Sequence, residues 1–398
     1  MTTMKAQTYQ QYGDTSVLEL TDQPMPKVGP GEVLVQVKAA GINPVDWKVM
    51  SGGLDPMMNA QFPATPGWDV AGVVVGKGLD TPGVSEGDEV IAYARKDWIH
   101  GGTFAQYVSV PVRTLAPKPA ALSWEQAGGL PLAGLTAYQV LTRLGLAGGK
   151  TVLIHAASGG VGSMGVQIAK AFGARVIGTA SAKNHDYVRE LGAEPVEYGD
   201  GLVKRVKELA PNGVDIVADF VGGVVEDTVA VLADGGQHGS IADPEVEKHG
   251  GHYMWVSPDA EQLTELARLA DDGKLTVRVD RTFPLEQLPD AFTASQEGHA
   301  VGKMVLTVDL SALCSPGAAP TSAARPPGLS AQAGATQLRP HDDDASSRVD
   351  RDEASSCAGP CGIVARSCVA GAGQAHGSED QRGAMRRAPS MRMVSPLR

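Results

Sequence analysis

The stretch that most constrains this chain is residues 151–170, TVLIHAASGGVGSMGVQIAK. An apolar, β-branched run from Thr151 to Ile154 gives way to small residues and a glycine cluster. An apolar pattern at helical spacing follows, with Val161, Met164 and Ile168 on one face. Strand, tight glycine turn and helix, in that order, are what a dinucleotide-binding crossover requires. Ala157, Gly159 and Gly162 fill the three fingerprint positions, with Ala in the first. One permits the tight turn, one lets the backbone approach a pyrophosphate, and one lets helix and strand pack closely. Ser158, Gly160 and Val161 complete the turn, and the free N–H groups at the helix start suit an anion.

The next strand, Arg175–Thr179, bears on the choice of dinucleotide. An NAD site usually carries Asp or Glu at its end, about 20 residues past the glycines, to hold the ribose hydroxyls. Here the sequence runs Thr179-Ala-Ser-Ala-Lys183. No carboxylate repels a 2′-phosphate, Ser181 can donate a hydrogen bond, and Lys183 adds a charge. The expected cofactor is therefore NADPH.

The length of 398 residues allows two or three domains, and a net charge of −11 argues against nonspecific nucleic-acid binding. No apolar run is long enough to span a bilayer. The N-terminus lacks the apolar core of a secretory signal, so a cytoplasmic location is expected. Every aromatic residue precedes residue 311, and all four cysteines follow residue 310. Residues 311–398 contain no Lys and are rich in Ala, Gly, Ser, Pro and Arg. Such a segment buries too little apolar surface to offset its chain entropy, and a disordered C-terminal tail is expected. Cys357, Cys361 and Cys368 lack the spacing and the fourth ligand of a zinc site.

Residues 1–120 read as β-rich, with short strands between Gly/Pro turns. A helical segment spans 123–145, with Ser123 and Gln126 as a capping box. Strands at 151–156, 175–179, 195–197, 214–219 and 236–241 then alternate with helices at 161–173, 183–191, 201–210 and 224–232. That alternation predicts an α/β fold with a doubly wound parallel sheet. A helix at 259–272, a strand at 275–278, a helix at 286–296 and a strand at 303–308 follow.

Ordered motifs then become visible: Tyr12-Gly13, Ala40-Gly-Ile-Asn-Pro-Val-Asp46, Pro66-Gly-Trp-Asp-Val-Ala-Gly72, Gly87-Asp88, Leu130-Pro-Leu-Ala-Gly-Leu-Thr-Ala137, the glycine turn, and Gly302-Lys303. From about Met4 to Leu310 the chain resembles the medium-chain dehydrogenase/reductases, in their zinc-free, zeta-crystallin-like quinone oxidoreductase branch. The resemblance implies a GroES-like catalytic domain over 1–122, a Rossmann cofactor domain over 123–260, and a return segment over 261–310 that completes the first domain. It also implies a homodimer. Zinc-dependent relatives carry Cys at the position of Asn43, His at that of Trp68, and Cys near Pro131. None of these is a zinc ligand here, so no metal is expected.

Without a Lewis acid, the natural hydride acceptors are electron-poor: quinones and α,β-unsaturated carbonyls. The partner is then a small molecule, with neither nucleic acid nor membrane. Asn43 is the candidate donor to the developing oxyanion. Asp46 is read as ordering its loop through side-chain hydrogen bonds, with direct proton transfer as the alternative. Tyr12 and Trp47 could wall the ring pocket or serve as ordinary packing. The resemblance places Tyr198 beside the 2′-phosphate and Val221 and Gly222 near the nicotinamide ribose. Ser240 and Ile241 stand at the strand edge where ligands bind, and Gly302 and Lys303 are expected on the nicotinamide side. Two other readings stay open: an enoyl-thioester or polyketide reductase, and a non-catalytic NADPH-binding regulator.

Overall fold

The computed structural model describes residues 2–309, so the expectations for 311–398 lie outside the described residues. Two main sheets organise the rest. The first runs, in spatial order, Val279–Pro284, Lys303–Thr307, Glu32–Ile42, Asp69–Lys77, Glu89–Tyr93 and Leu115–Pro117, with Tyr107–Pro111 also paired to Glu32–Ile42. Alternation builds it: Val33, Val35 and Val37 are buried while the residues between them are half-exposed. The strand Lys303–Thr307 pairs antiparallel with the end of Glu32–Ile42, Met304 opposite Ile42. Residues far apart in sequence thus meet at one end of this sheet.

The second sheet has six parallel strands, ordered Glu194–Glu197, Arg175–Ala180, Thr151–Ile154, Val214–Asp219, Leu232–Ser240 and His252–Tyr253. Its central strands are buried on both faces, as crossover helices require. The order reverses beside Thr151–Ile154, and ligands bind such sheets beyond the strand ends at that point. Among the described residues no helix is long and apolar enough to cross a membrane.

The helical segment 123–145 forms as two helices, Trp124–Gly129 and Pro131–Arg143. Pro131 has no N–H to continue the first helix and instead opens the second. The Ser123–Gln126 capping box is present. The expected strand at 275–278 is not one, and the strand begins at Val279. Its alternation is real, with Leu275 and Val277 buried, but side chains take its backbone bonds. Gln167 Oε1 accepts the Thr276 N–H at 2.8 Å, and Gln126 Nε2 donates to the Val277 carbonyl at 3.2 Å. The helix Ala260–Asp271, expected within the return segment, packs on Pro131–Arg143 and on the short strand Leu115–Pro117.

Candidate functional site

The glycine turn folds as its residues dictate. Gly159 caps the helix Gly160–Ala171 with extended backbone and no side-chain acceptor, so the first-turn N–H groups have no capping side chain. A Cβ on Gly162 would lie 2.1 Å from the Ala156 carbonyl oxygen, which no side chain tolerates. Ala156 itself has φ 56°, and the turn is tight enough to hold it there. Gly178 on the neighbouring strand leaves room for Ala157, whose Cβ would sit 2.7 Å from an added methyl. The result is a backbone cradle open at a helix N-terminus, which fits a pyrophosphate.

Around the cradle, Ser158 Oγ accepts from Asn184 Nδ2 at 3.3 Å. Ser181 ends the strand Arg175–Ala180, and Lys183 is exposed with no ion pair among the described residues. Tyr198 is 60% exposed beyond the strand Glu194–Glu197. On the other side, Asp219 organises the turn that holds Val221 and Gly222. Its Oδ1 accepts both their N–H groups at 2.9 Å, and its Oδ2 accepts from Ser240 Oγ at 2.6 Å. Ser240 Oγ in turn accepts the Ala242 and Asp243 N–H groups, and Ile241 N–H donates to the Asp219 carbonyl. His155, at the strand end, is buried between the Thr179 and Thr228 hydroxyls, and burial pushes its pKa down.

Gly302 closes the cradle. It forms a parallel bridge with Gly159, and its N–H donates to the Ser158 carbonyl at 3.0 Å. Its φ of 91° and the nearby Arg278 carbonyl leave no room for a side chain. A Cβ on Gly160 would meet Lys303 Cδ at 2.9 Å, so the turn packs directly on the lysine stem.

From there the site is built of buried charge. Lys303 Nζ donates to the Ile42 carbonyl at 2.9 Å and to Asn43 Oδ1 at 2.5 Å. Asn43 Nδ2 donates to Asp69 Oδ2 at 2.9 Å and to the Gly41 carbonyl at 3.4 Å. Asp69 Oδ1 accepts the Leu132 N–H at 2.7 Å, in the first turn of Pro131–Arg143. Lys303 Nζ lies 4.0 Å from Asp69 Oδ2. Asp46 Oδ2 accepts the Asn43 N–H at 2.8 Å, closing the start of the helix Pro44–Met50. Asn43, Asp46, Asp69 and Lys303 are all buried. Burial pushes Asp69 up to about 6, against the pull of the Lys303 charge and the Asn43 and Leu132 donors. Burial likewise pushes Lys303 down, against the pull of Asp69 and Asp46.

Beside Asp46 a narrow cleft opens to solvent, and its inner space of about 10 Å³ holds roughly one water molecule. Its lining includes Trp68, Trp98, Lys96, His100 and Thr65. Trp68 packs on Tyr93, whereas Trp98 is 58% exposed at the rim.

Three site expectations change accordingly. Asn43 is not free to donate to an acceptor, because its amide hydrogens serve Asp69 and Gly41. Lys303 does not project toward a ligand; it is folded back onto Asn43 and Ile42. Tyr12 and Trp47 do not line the cavity. Tyr12 donates to Asp55 and packs on Phe62, and Trp47 Nε1 donates to Ser295. Sequence reasoning missed Asp69 and Trp98. Asp69 opens an otherwise apolar strand, DVAGVVV, and a lone carboxylate there was the available signal. Nothing in the local sequence marked Trp98.

Comparisons with known proteins agree with this architecture. Residues 29–120 match the alcohol dehydrogenase GroES-like domain, and residues 191–306 match a family described as zinc-binding dehydrogenase. The chain is 35% identical over 317 residues to an NADPH-dependent alkenal/one oxidoreductase of Arabidopsis thaliana, covering 76% of this chain and 79% of that one. It is also 35% identical over 317 residues to a 2-methylene-furan-3-one reductase of Solanum lycopersicum, with the same coverage of 76% and 79%. The solved structure of a quinone oxidoreductase from Coxiella burnetii superposes with TM-score 0.68 at 34% identity, over 77% of this chain and all of that one.

Proposed function

The chain belongs to the medium-chain dehydrogenase/reductases, in their quinone oxidoreductase branch, and from that premise we propose that it reduces quinones or α,β-unsaturated carbonyls with NADPH and without a metal. One observation carries the reading. The phosphate cradle connects to the cavity through an unbroken series of contacts, Gly160 to Lys303 to Asn43 to Asp46. A dinucleotide anchored at the cradle would extend along this series toward Asp46, which lines the cleft.

The residues present fit a dinucleotide. Gly159, Gly160, Val161 and Gly162 would hold the pyrophosphate by backbone, and Ser181, Lys183 and Tyr198 would surround the adenosine 2′-phosphate. The missing carboxylate after the strand Arg175–Ala180 favours NADPH over NADH. When bound, the reduced nicotinamide supplies a hydride. Val221 and Gly222, fixed by Asp219 and Ser240, shape the turn on that side. Lys303, held by Asn43 and Ile42, faces the buried Asp69 carboxylate behind the cleft and fixes Asn43 there. Trp98, exposed at the mouth of the cleft, offers an apolar face to a conjugated ring or enone.

Zinc does not fit these residues. The ligand positions of zinc-dependent relatives hold Asn43, Trp68 and Pro131, and the Lys303 ammonium already occupies the Asn43 oxygen. Among the described residues no group of three or more His, Cys, Asp or Glu could hold a metal ion. No step is therefore assigned to a metal. A homodimer belongs to the same proposal. Support comes from the edge strand His252–Tyr253, near which Tyr253 and Trp255 are exposed.

The test is NADPH oxidation against a panel of quinones and enones, before and after chelator treatment. Turnover that prefers NADPH and survives chelation is expected. NADPH binding without turnover of any acceptor would instead indicate a regulator.

A further inference from the structure

The two oxygens of the Asp46 carboxyl are in different circumstances. Oδ2 accepts the Asn43 N–H. Oδ1 is buried and has no hydrogen-bond partner among the described residues, while Asp46 itself lines the cavity beside Trp68 and Trp98. A buried polar oxygen without a partner costs about 1–3 kcal/mol. Ordering the loop requires only Oδ2, so it leaves Oδ1 unexplained.

Charge balance says what Oδ1 carries. One ammonium, Lys303, serves two buried carboxyls, Asp46 and Asp69. Asp69 lies 4.0 Å from Lys303 and also receives the Asn43 amide and the Leu132 N–H. Asp46 receives a single N–H. Two buried carboxylates cannot share one countercharge without a large desolvation cost, so the less well served one keeps its proton. Burial and the Asp69 charge push Asp46 up to about 8. With Oδ2 committed as an acceptor, the proton sits on Oδ1.

Other groups around Asp46 do not compete for this role. The Tyr9 and Tyr93 phenols lie near Asp46, but burial pushes both up and keeps them neutral. Burial pushes Lys96 down, against Glu32. His100 Nδ1 is engaged with the Gln61 carbonyl at 3.0 Å.

We propose that Asp46, through Oδ1 and one water held in this cleft, is the proton donor to an acceptor bound at the open mouth of the cleft. This rests on the reductase reading above and adds the source of the proton. For an enone, a hydride from the reduced nicotinamide forms a C–H bond at the β-carbon. The π pair moves through the conjugated system to the carbonyl oxygen. The Oδ1–H bond breaks as its proton passes to the water in the cleft, which gives one of its own protons to that oxygen, and the enol so formed tautomerises to the saturated carbonyl. Water from the open side of the cavity returns a proton to the carboxylate.

The test uses the full chain and Asp46→Asn, which can still accept the Asn43 N–H and so preserves the loop. General acid catalysis typically contributes about 10²–10⁴-fold, so kcat on an enone should fall by that order. The decline of wild-type kcat above about pH 8 should vanish in the variant. A 1,4-quinone should lose less, because a hydroquinone anion is a far weaker base than an enolate and water can protonate it. NADPH affinity, read by protein fluorescence without any acceptor, should be unchanged. A stability readout is independent of turnover. The folded Asp46 value is raised from 3.8 to about 8, so the folded state binds the extra proton and wild-type stability should fall as pH rises between them. Asp46→Asn should flatten that fall. Unchanged kcat and an unchanged basic limb on both acceptors would overturn the proton-donor assignment alone. Wild-type protein that binds NADPH and turns over neither acceptor would overturn the reductase reading, and this one with it.

Discussion

The two ends of this site are held by different physics. At the cradle end, almost everything is backbone: Gly159, Gly162 and Gly302 leave room where a side chain would collide. At the cavity end, titratable side chains dominate: the Asn43 side-chain amide joins Asp69 to Lys303, and the Asn43 backbone N–H holds Asp46. Excluded volume governs the first end and leaves it insensitive to pH. Desolvation governs the second, and it depends on every partner being present. A methyl group is the sharpest probe of the cradle, and the loss of one charge is the sharpest probe of the cavity end.

The largest effect should come from breaking the charge network. Asp69→Ala leaves the Lys303 ammonium buried with only neutral acceptors and a protonated Asp46. Removing one partner of a buried pair costs about 3–5 kcal/mol, which chemical denaturation would reveal. A cost below about 1 kcal/mol, the scale of an exposed pair, would mean that Lys303 is neutral and the charge account fails. Next comes Gly162→Ala, whose methyl would press on the Ala156 carbonyl. Overpacking of this kind costs about 1–3 kcal/mol and should weaken NADPH and NADH binding alike. Stability indistinguishable from wild type would show that the turn is looser than the geometry requires. The smallest effect should be that of Lys183→Ala. The side chain is exposed and unpaired among the described residues, so stability should not move. Losing one screened phosphate contact should weaken NADPH several-fold, roughly 1 kcal/mol, and spare NADH. Equal weakening of both cofactors would remove Lys183 from the 2′-phosphate site.

The same contrast explains what was legible in the sequence. A glycine that must be glycine leaves its mark at its own position. Strand, turn and helix at 151–170 could therefore be read directly, and so could the parallel sheet from alternating strands and helices. The cavity end joins residues 43, 46, 69, 132 and 303, and no local pattern records which of them meet. Asn43 and Lys303 were visible as candidates, but their mutual bond was not. That bond turns both inward and changes what each can do. Tyr12 and Trp47 stood beside the right motifs, yet their polar atoms had partners elsewhere, Asp55 and Ser295. Residues 275–278 alternated like a strand, but Gln126 and Gln167 took their backbone bonds.

The central claim is that one ligand spans both ends, with phosphates on the cradle and the reacting ring at the cavity. A crystal structure with bound NADP⁺ tests it most directly. The account predicts the pyrophosphate on the N–H groups opening the helix Gly160–Ala171, the 2′-phosphate beside Ser181 and Lys183, and the nicotinamide facing the cavity lined by Asp46, Trp68 and Trp98. A nicotinamide directed away from that cavity, or a metal ion coordinated at Asn43, would contradict it.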